Sequence, residues 1–308
     1  MNHKLIKPPV IINPPNKPYM IIFTHILTMS AAKLLLENLN KINIEGCITN
    51  VIITSELINY YTKIPNIYFF IYCPQIQFCR RNKEVTIPKD RFYLYQVDQL
   101  NLNLFFYQNV DIINNHIINS ISTFDYSYQN LDYYSSNAKN KVNILQPFIN
   151  NKEINCTREN DILFIGTIND RRKKILDYIK KKYEVTIVEN VTGDQLSELI
   201  IKSKIIINIH ISPNSIIEIF RIHELLPYKT CILTENVLDE SSLQKYKNYI
   251  DIFPIIDDNL QNIDTLMDIL NYKLENYKLE NFNSRMELIN SINKENLSIL
   301  KNSIIYEE

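Results

Sequence analysis

Four short apolar runs punctuate residues 161–235, and the segments between them carry helical spacing. The runs are residues 162–165 (ILFI), 184–188 (EVTIV), 205–209 (IIINI) and 231–234 (CILT). Such a β-α-β-α-β-α-β succession folds as a parallel sheet with helices on both faces. The first run ends in Gly166 and opens a basic helix. Only three glycines occur in 308 residues, at 46, 166 and 193. A glycine kept at a strand-to-helix turn in so glycine-poor a chain points to a backbone need. Ligands of such sheets sit at the carboxyl ends of the strands, where this turn lies.

The first half alternates in the same way. Residues 1–18 read as an extended arm, because five of them are proline (Pro8, Pro9, Pro14, Pro15 and Pro18). Strands are expected at 19–23, 47–54, 67–72, 92–95, 121–124 and 142–145. Helices are expected at 30–39, with Ser30 as N-cap, and at 96–107, with a further element at 111–120. A polar link at 149–160 separates the halves. Past Glu235 come a strand at 250–256 and a helical tail at 261–305, in which 271–282 repeats NYKLE as an exposed, ion-paired helix. The expected organisation is an arm (1–18), an acceptor-side α/β domain (19–150), a second α/β domain (151–285) and a terminal helix (286–308) crossing back to the first domain. Each domain is Rossmann-like, with parallel sheets facing across a cleft, a preferred place for ligands.

Composition narrows the class. With 45% apolar and 22% charged residues, the chain reads as an ordinary globular protein. A net charge of -1 advertises neither nucleic acid nor an anionic membrane. The excess of Ile, Asn, Lys and Tyr, with no Trp, fits AT-rich coding sequence. The five cysteines are scattered without paired spacing, so neither a zinc site nor a disulfide framework is expected. No run reaches the ~20 apolar residues of a membrane span and no secretory leader is legible, so a cytoplasmic location is expected.

Three groups of residues could carry chemistry. Gly166, Thr167 and Asn169 form a turn that exposes backbone N–H groups to an anion, and Arg171 or Arg172 could clamp a diphosphate. The RRKK run reads equally as a solvated basic face. Asn208 and His210 share one face at the end of a buried strand, and Glu218, Arg221 and Glu224 follow at intervals of three. Ionisable groups flanked by buried strands need partners or a ligand. Glu224 could accept both hydroxyls of a ribose and Arg221 could offset phosphate charge. An intrahelical Glu218–Arg221 pair and a core histidine at 210 are the plainer alternatives. In the first half, His25 follows the first strand and suits a general base. Asp98 and Asp125 suit either caps or acceptor contacts.

The segment NIHISPNSIIEIFRIHELLPYKTCILTE resembles the donor-binding motif of GT-B glycosyltransferases, closest to bacterial and viral CgeB-like and family-4-like ones. FIGTINDRRKKIL is similar to their glycine turn and Arg-bearing helix. YLYQVDQL and FDYSYQN resemble their first domain. The resemblance implies transfer of a sugar from a nucleotide-diphosphate donor, UDP- or GDP-linked, to a glycan, protein or small-molecule acceptor. It implies no cofactor and no metal, in keeping with the lack of an Asp-x-Asp motif. By it, Glu224 holds the donor ribose, Arg171 and Arg221 face the diphosphate, and His210 and Asn214 lie near the sugar. His25 and Asp125 are the catalytic candidates. The family's first glutamate is absent here, where Ile216 stands, or displaced to Glu218, and its tail glycine is replaced within Tyr228-Lys229-Thr230-Cys231. These departures keep open a non-catalytic nucleotide- or sugar-binding protein of the same fold.

Overall fold

The computed structural model describes residues 5–11, 13–74, 77, 85–102, 109–152, 154–276 and 282–304, with side chains at 282–284 excepted. The chain divides into two compact units, Met1–Phe148 with Ile292–Glu308, and Ile149–Ser291.

The first unit holds a six-stranded sheet: β1 (Tyr19–Phe23), β2 (Glu45–Thr49), β3 (Ile67–Tyr72), β4 (Phe92–Gln96), β5 (Ser122–Asp125) and β6 (Val142–Ile144). Its order is β2-β1-β3-β4-β5-β6, with every pairing parallel. Strands β3 and β4 are almost continuously apolar or aromatic because both faces are covered. On one face Ile21, Phe23, Phe69, Ile71, Phe92 and Leu94 join Ile58, Tyr61, Ile113 and Ile117 from the helices. On the other face Phe70 stacks on Phe124 at 5.8 Å. The helices are α1 (Met29–Asn40), α2 (Ser55–Tyr61), α3 (Val110–Asn119) and α4 (Ser136–Lys139).

Local chemistry moves several expected boundaries. Ser30 lies inside α1 rather than capping it. Thr28, at the N-cap position, makes no side-chain cap bond, and its hydroxyl donates to the His25 carbonyl at 3.1 Å. The strand expected to reach residue 54 stops at Thr49, since Thr54 accepts from the Leu57 N–H and starts α2. Gln96 closes β4, and within the expected 96–107 helix the described part is a 3-10 turn at Leu100–Leu102. Residues 103–107 of that expectation lie outside the described residues, as do Cys79 and residues 277–281 of the repeat.

The second unit runs β7 (Asn160–Ile165), α5 (Asp170–Ile179), β8 (Val185–Val188), α6 (Gly193–Ile201), β9 (Ser203–Asn208), α7 (Ile219–Leu225), β10 (Cys231–Glu235) and β11 (Asp251–Phe253). Two helices follow, α8 (Ile263–Glu275) and α9 (Phe282–Ser303), the second of which passes from this unit into the first at Ile292. The strand order is β11-β10-β9-β7-β8, again all parallel. Strand β7 thus pairs with β8 on one side and β9 on the other, so the winding reverses at β7. Ligands of open α/β sheets bind beyond the carboxyl ends at such a reversal. The turn after β7 occupies that place.

The expected strand at 250–256 shortens to Asp251–Phe253, and the helical tail is two helices rather than one. Helix α8 contributes Leu266 and Leu270 to the apolar core that also holds Ile162, Ile205 and Leu233 of the sheet. No helix among the described residues is long and apolar enough to cross a membrane.

Candidate functional site

The β7–α5 turn is shaped by two residues. Gly166 has φ +143°, a conformation side chains rarely adopt, and a Cβ there would lie 3.4 Å from Arg172 Nη1. Asn169 then caps α5, accepting the Arg172 N–H at 2.9 Å. The helix sorts the RRKK run by its period: Lys173 and Lys174 are exposed, whereas Arg171 and Arg172 turn inward.

Arg171 is not the diphosphate clamp the sequence suggests. It is 5% exposed, and its donors are engaged within the protein. Nε donates to the Ile256 carbonyl at 3.1 Å and Nη1 to the His210 carbonyl at 2.6 Å. Nη2 pairs with the carboxylate of Glu235. Glu235 itself is fully buried and accepts the backbone N–H groups of His210 at 2.9 Å and Ile256 at 2.8 Å. Sequence reading passed over Glu235. The available signal was a carboxylate directly closing a buried apolar strand, a position that demands partners.

Arg172 is as buried as Arg171, at 6% exposed, but its ion-pair partner is the partly exposed Glu218. Nε donates to the Ile209 carbonyl at 2.9 Å and Nη1 to the Thr167 carbonyl at 2.9 Å. Nη2 reaches Glu218 Oε1 at 3.2 Å, and the guanidinium lies over the Phe164 ring, 5.4 Å from its centroid. His210 donates from Nε2 to the Glu235 carbonyl at 3.0 Å and sets Nδ1 3.5 Å from Glu218 Oε1. Glu218 precedes α7 rather than lying within it, so the expected intrahelical pair with Arg221 gives way to one with Arg172. Desolvation pushes the Glu218 carboxyl up. The His210 contact, with Arg221 and Arg172, outweighs that and holds its pKa at about 2. Burial lowers Arg172, and Glu218 opposes the shift.

Arg221 donates from Nη1 to the Ile165 carbonyl, the last of β7, and so borders the Gly166 turn. Glu224 shares its helix face one turn on and is exposed. Thr167 is exposed at the turn, and Asn214 is exposed on the loop before α7. Asn208 does not join them: it is buried, donating to Thr234 Oγ1 at 3.0 Å on β10. The residues gathered at the carboxyl edge are therefore Gly166, Thr167, Arg172, His210, Glu218 and Arg221, with Glu224 one turn further along α7.

The two first-half candidates take structural roles. Asp125 is fully buried, which removes it from contact with a substrate. Its Oδ1 accepts from the Ser127 N–H at 2.9 Å and from Asn130 at 3.0 Å, and Oδ2 accepts the Tyr134 hydroxyl at 2.7 Å. Desolvation raises its pKa to about 7 against these bonds. His25 follows β1 as expected, but its Nδ1 accepts the Leu27 N–H at 3.3 Å and caps a 3-10 turn. That bond places the hydrogen of the neutral ring on Nε2, making Nε2 a donor rather than a base.

No protein-family model matches the chain. Over 208 residues it is 26% identical to the Uncharacterized protein L140 of Acanthamoeba polyphaga mimivirus, a match covering 62% of this chain and 64% of that protein. The chain thus matches less than two thirds of that relative's length. Among solved structures it is similar to Anabaena Alr3699/HepE in complex with UDP and glucose, with a TM-score of 0.59 and 8% identity over 93% of this chain and all of the other. Sucrose-phosphate synthase from Thermosynechococcus elongatus gives a TM-score of 0.58 and 10% identity, covering 93% of this chain and 98% of the other. AviGT4, a glycosyltransferase of avilamycin A biosynthesis, gives a TM-score of 0.58 and 8% identity, covering 92% and 97%. These are GT-B glycosyltransferases, and the chain has the GT-B fold.

Proposed function

We propose that the chain is a glycosyltransferase that takes a sugar from a nucleotide-diphosphate donor, UDP- or GDP-linked, and passes it to a glycan, protein or small-molecule acceptor. The observation that carries this is the placement of Arg221. Its guanidinium borders the Gly166 turn at the sheet's reversal, with Arg172 behind it and the exposed carboxylate of Glu224 one turn along. Cations beside a diphosphate stabilise the charge that grows on it as the glycosidic bond breaks. Arg172 and Arg221 supply that charge without a metal, and Glu224 accepts the ribose hydroxyls. The fold shared with HepE, whose structure is a complex with UDP and glucose, supports the same reading.

A second reading is a protein of this fold that binds the donor without turnover. The burial of Asp125 and the capping role of His25 favour it, since neither presents a base to an acceptor. Incubation with UDP-glucose and GDP-mannose, followed by chromatography, separates the two. Slow release of free sugar that disappears in Arg221→Ala supports the transferase. Tight binding with no release supports the binding protein. Binding of neither donor contradicts both.

A further inference from the structure

We propose that Glu218 is a built-in counter-ion whose carboxylate occupies the cations that receive the diphosphate, so that an incoming diphosphate must displace it. The inference deepens the donor-site reading and rests on it.

Glu218 stands directly before α7, where an acceptor side chain would ordinarily bond the helix's first N–H groups. It makes no such bond. Its carboxylate turns to Arg172 Nη2 at 3.2 Å and His210 Nδ1 at 3.5 Å. Arg221 is near enough to bias its charge. The other donors of Arg172 are held by the carbonyls of Ile209 and Thr167, so Nη2 is the face it offers an anion. Glu218 Oε1 lies where an anionic ligand oxygen would sit, and its side chain is 16% exposed, which leaves it reachable.

A resident carboxylate lowers affinity for every anion, because like charges side by side are unfavourable. Displacing the carboxylate costs the same for any anion, and its residual repulsion grows with the charge of the ligand. Glu218 therefore weighs most on a multiply charged diphosphate and weakens retention of the nucleoside diphosphate left after transfer.

The test is calorimetric titration with inorganic pyrophosphate and with inorganic phosphate, metal-free and at low ionic strength, on the full chain and on Glu218→Gln. Glu218→Ser serves as a second variant, and thermal melts confirm that each is folded. Removing the competing charge should tighten pyrophosphate binding by roughly tenfold and phosphate binding by less. Unchanged or weaker binding in both variants, or no pyrophosphate binding by any of the proteins, overturns the proposal. UDP-glucose is titrated in parallel. Pyrophosphate binding that responds to Glu218, with no binding of UDP-glucose or GDP-mannose, would retain the counter-ion and discard the donor reading.

Discussion

Arg171 and Glu235 form an ion pair closed to solvent, joining the first turn of α5 to the end of β10. Through the same two side chains run bonds to the backbone of His210 and Ile256. The pair therefore fixes the segments after β9, β10 and β11 relative to α5, directly beneath the candidate donor site. Breaking it leaves a buried charge unpaired, so Arg171→Ala or Glu235→Ala should cost about 3–5 kcal/mol of stability. Glu235→Gln, which keeps an acceptor oxygen, should cost less. Urea denaturation of the three variants checks the order.

Gly166 should resist substitution for a different reason. Its φ of +143° belongs to a region nearly reserved for glycine, and Gly166→Ala is expected to cost about 1–3 kcal/mol. The added methyl also meets Arg172 Nη1 at 3.4 Å, so anion affinity should fall with stability. Denaturation curves and a pyrophosphate titration of one variant read both effects.

Asp125 should impress a pH dependence on the first unit. Its folded pKa, raised by burial to about 7, exceeds that of the unfolded chain. Between the two values the folded state binds the extra proton, so this group's contribution to stability is lost as pH rises through that window. The slope from one such group is at most about 1.4 kcal/mol per pH unit. Asp125→Asn lowers stability by disturbing three hydrogen bonds, but its stability should decline less from pH 5 to 7 than that of the native chain. Parallel slopes would show that Asp125 does not titrate there.

Much of the fold is legible in the sequence, for reasons particular to each element. The runs at 162–165, 205–209 and 231–234 are largely apolar on both faces, as a covered parallel sheet requires, and all of their residues but Ile209 lie in a strand. The Gly166 turn was readable because glycine is so scarce here. Less legible was which member of a polar run turns inward. Arg171 and Arg172 differ by one position, about 100° around a helix, and only the cap at Asn169 sets the phase. Asn208 and His210 share a strand face, yet β9 ends between them. The Asn208 amide turns to Thr234 on β10, while His210 bonds Glu235. The burial of Asp125, a cap or acceptor contact by sequence, is not legible because Ser127, Asn130 and Tyr134, its three partners, follow it as an ordinary polar stretch. Residues 103–108 lie outside the described residues, so the helix expected to end at 107 is followed only to Leu102.

Variants of Arg221 and Glu224 should separate the two halves of the proposed donor. Glu224→Ala removes the proposed ribose contact. It should weaken UDP and UDP-glucose by roughly tenfold, as loss of a charged hydrogen bond does, while leaving pyrophosphate unaffected. Arg221→Ala should weaken all three. Competition titrations on the two variants read the difference.

Metal-free calorimetry tests the proposed nucleotide-sugar site at the carboxyl edge of the second sheet. UDP-glucose and GDP-mannose are titrated into the native chain and into Arg221→Ala. Saturable binding of one nucleotide class by the native chain, weakened at least tenfold in the folded variant, is the predicted result. Binding of neither donor, or binding indifferent to Arg221, would contradict the account.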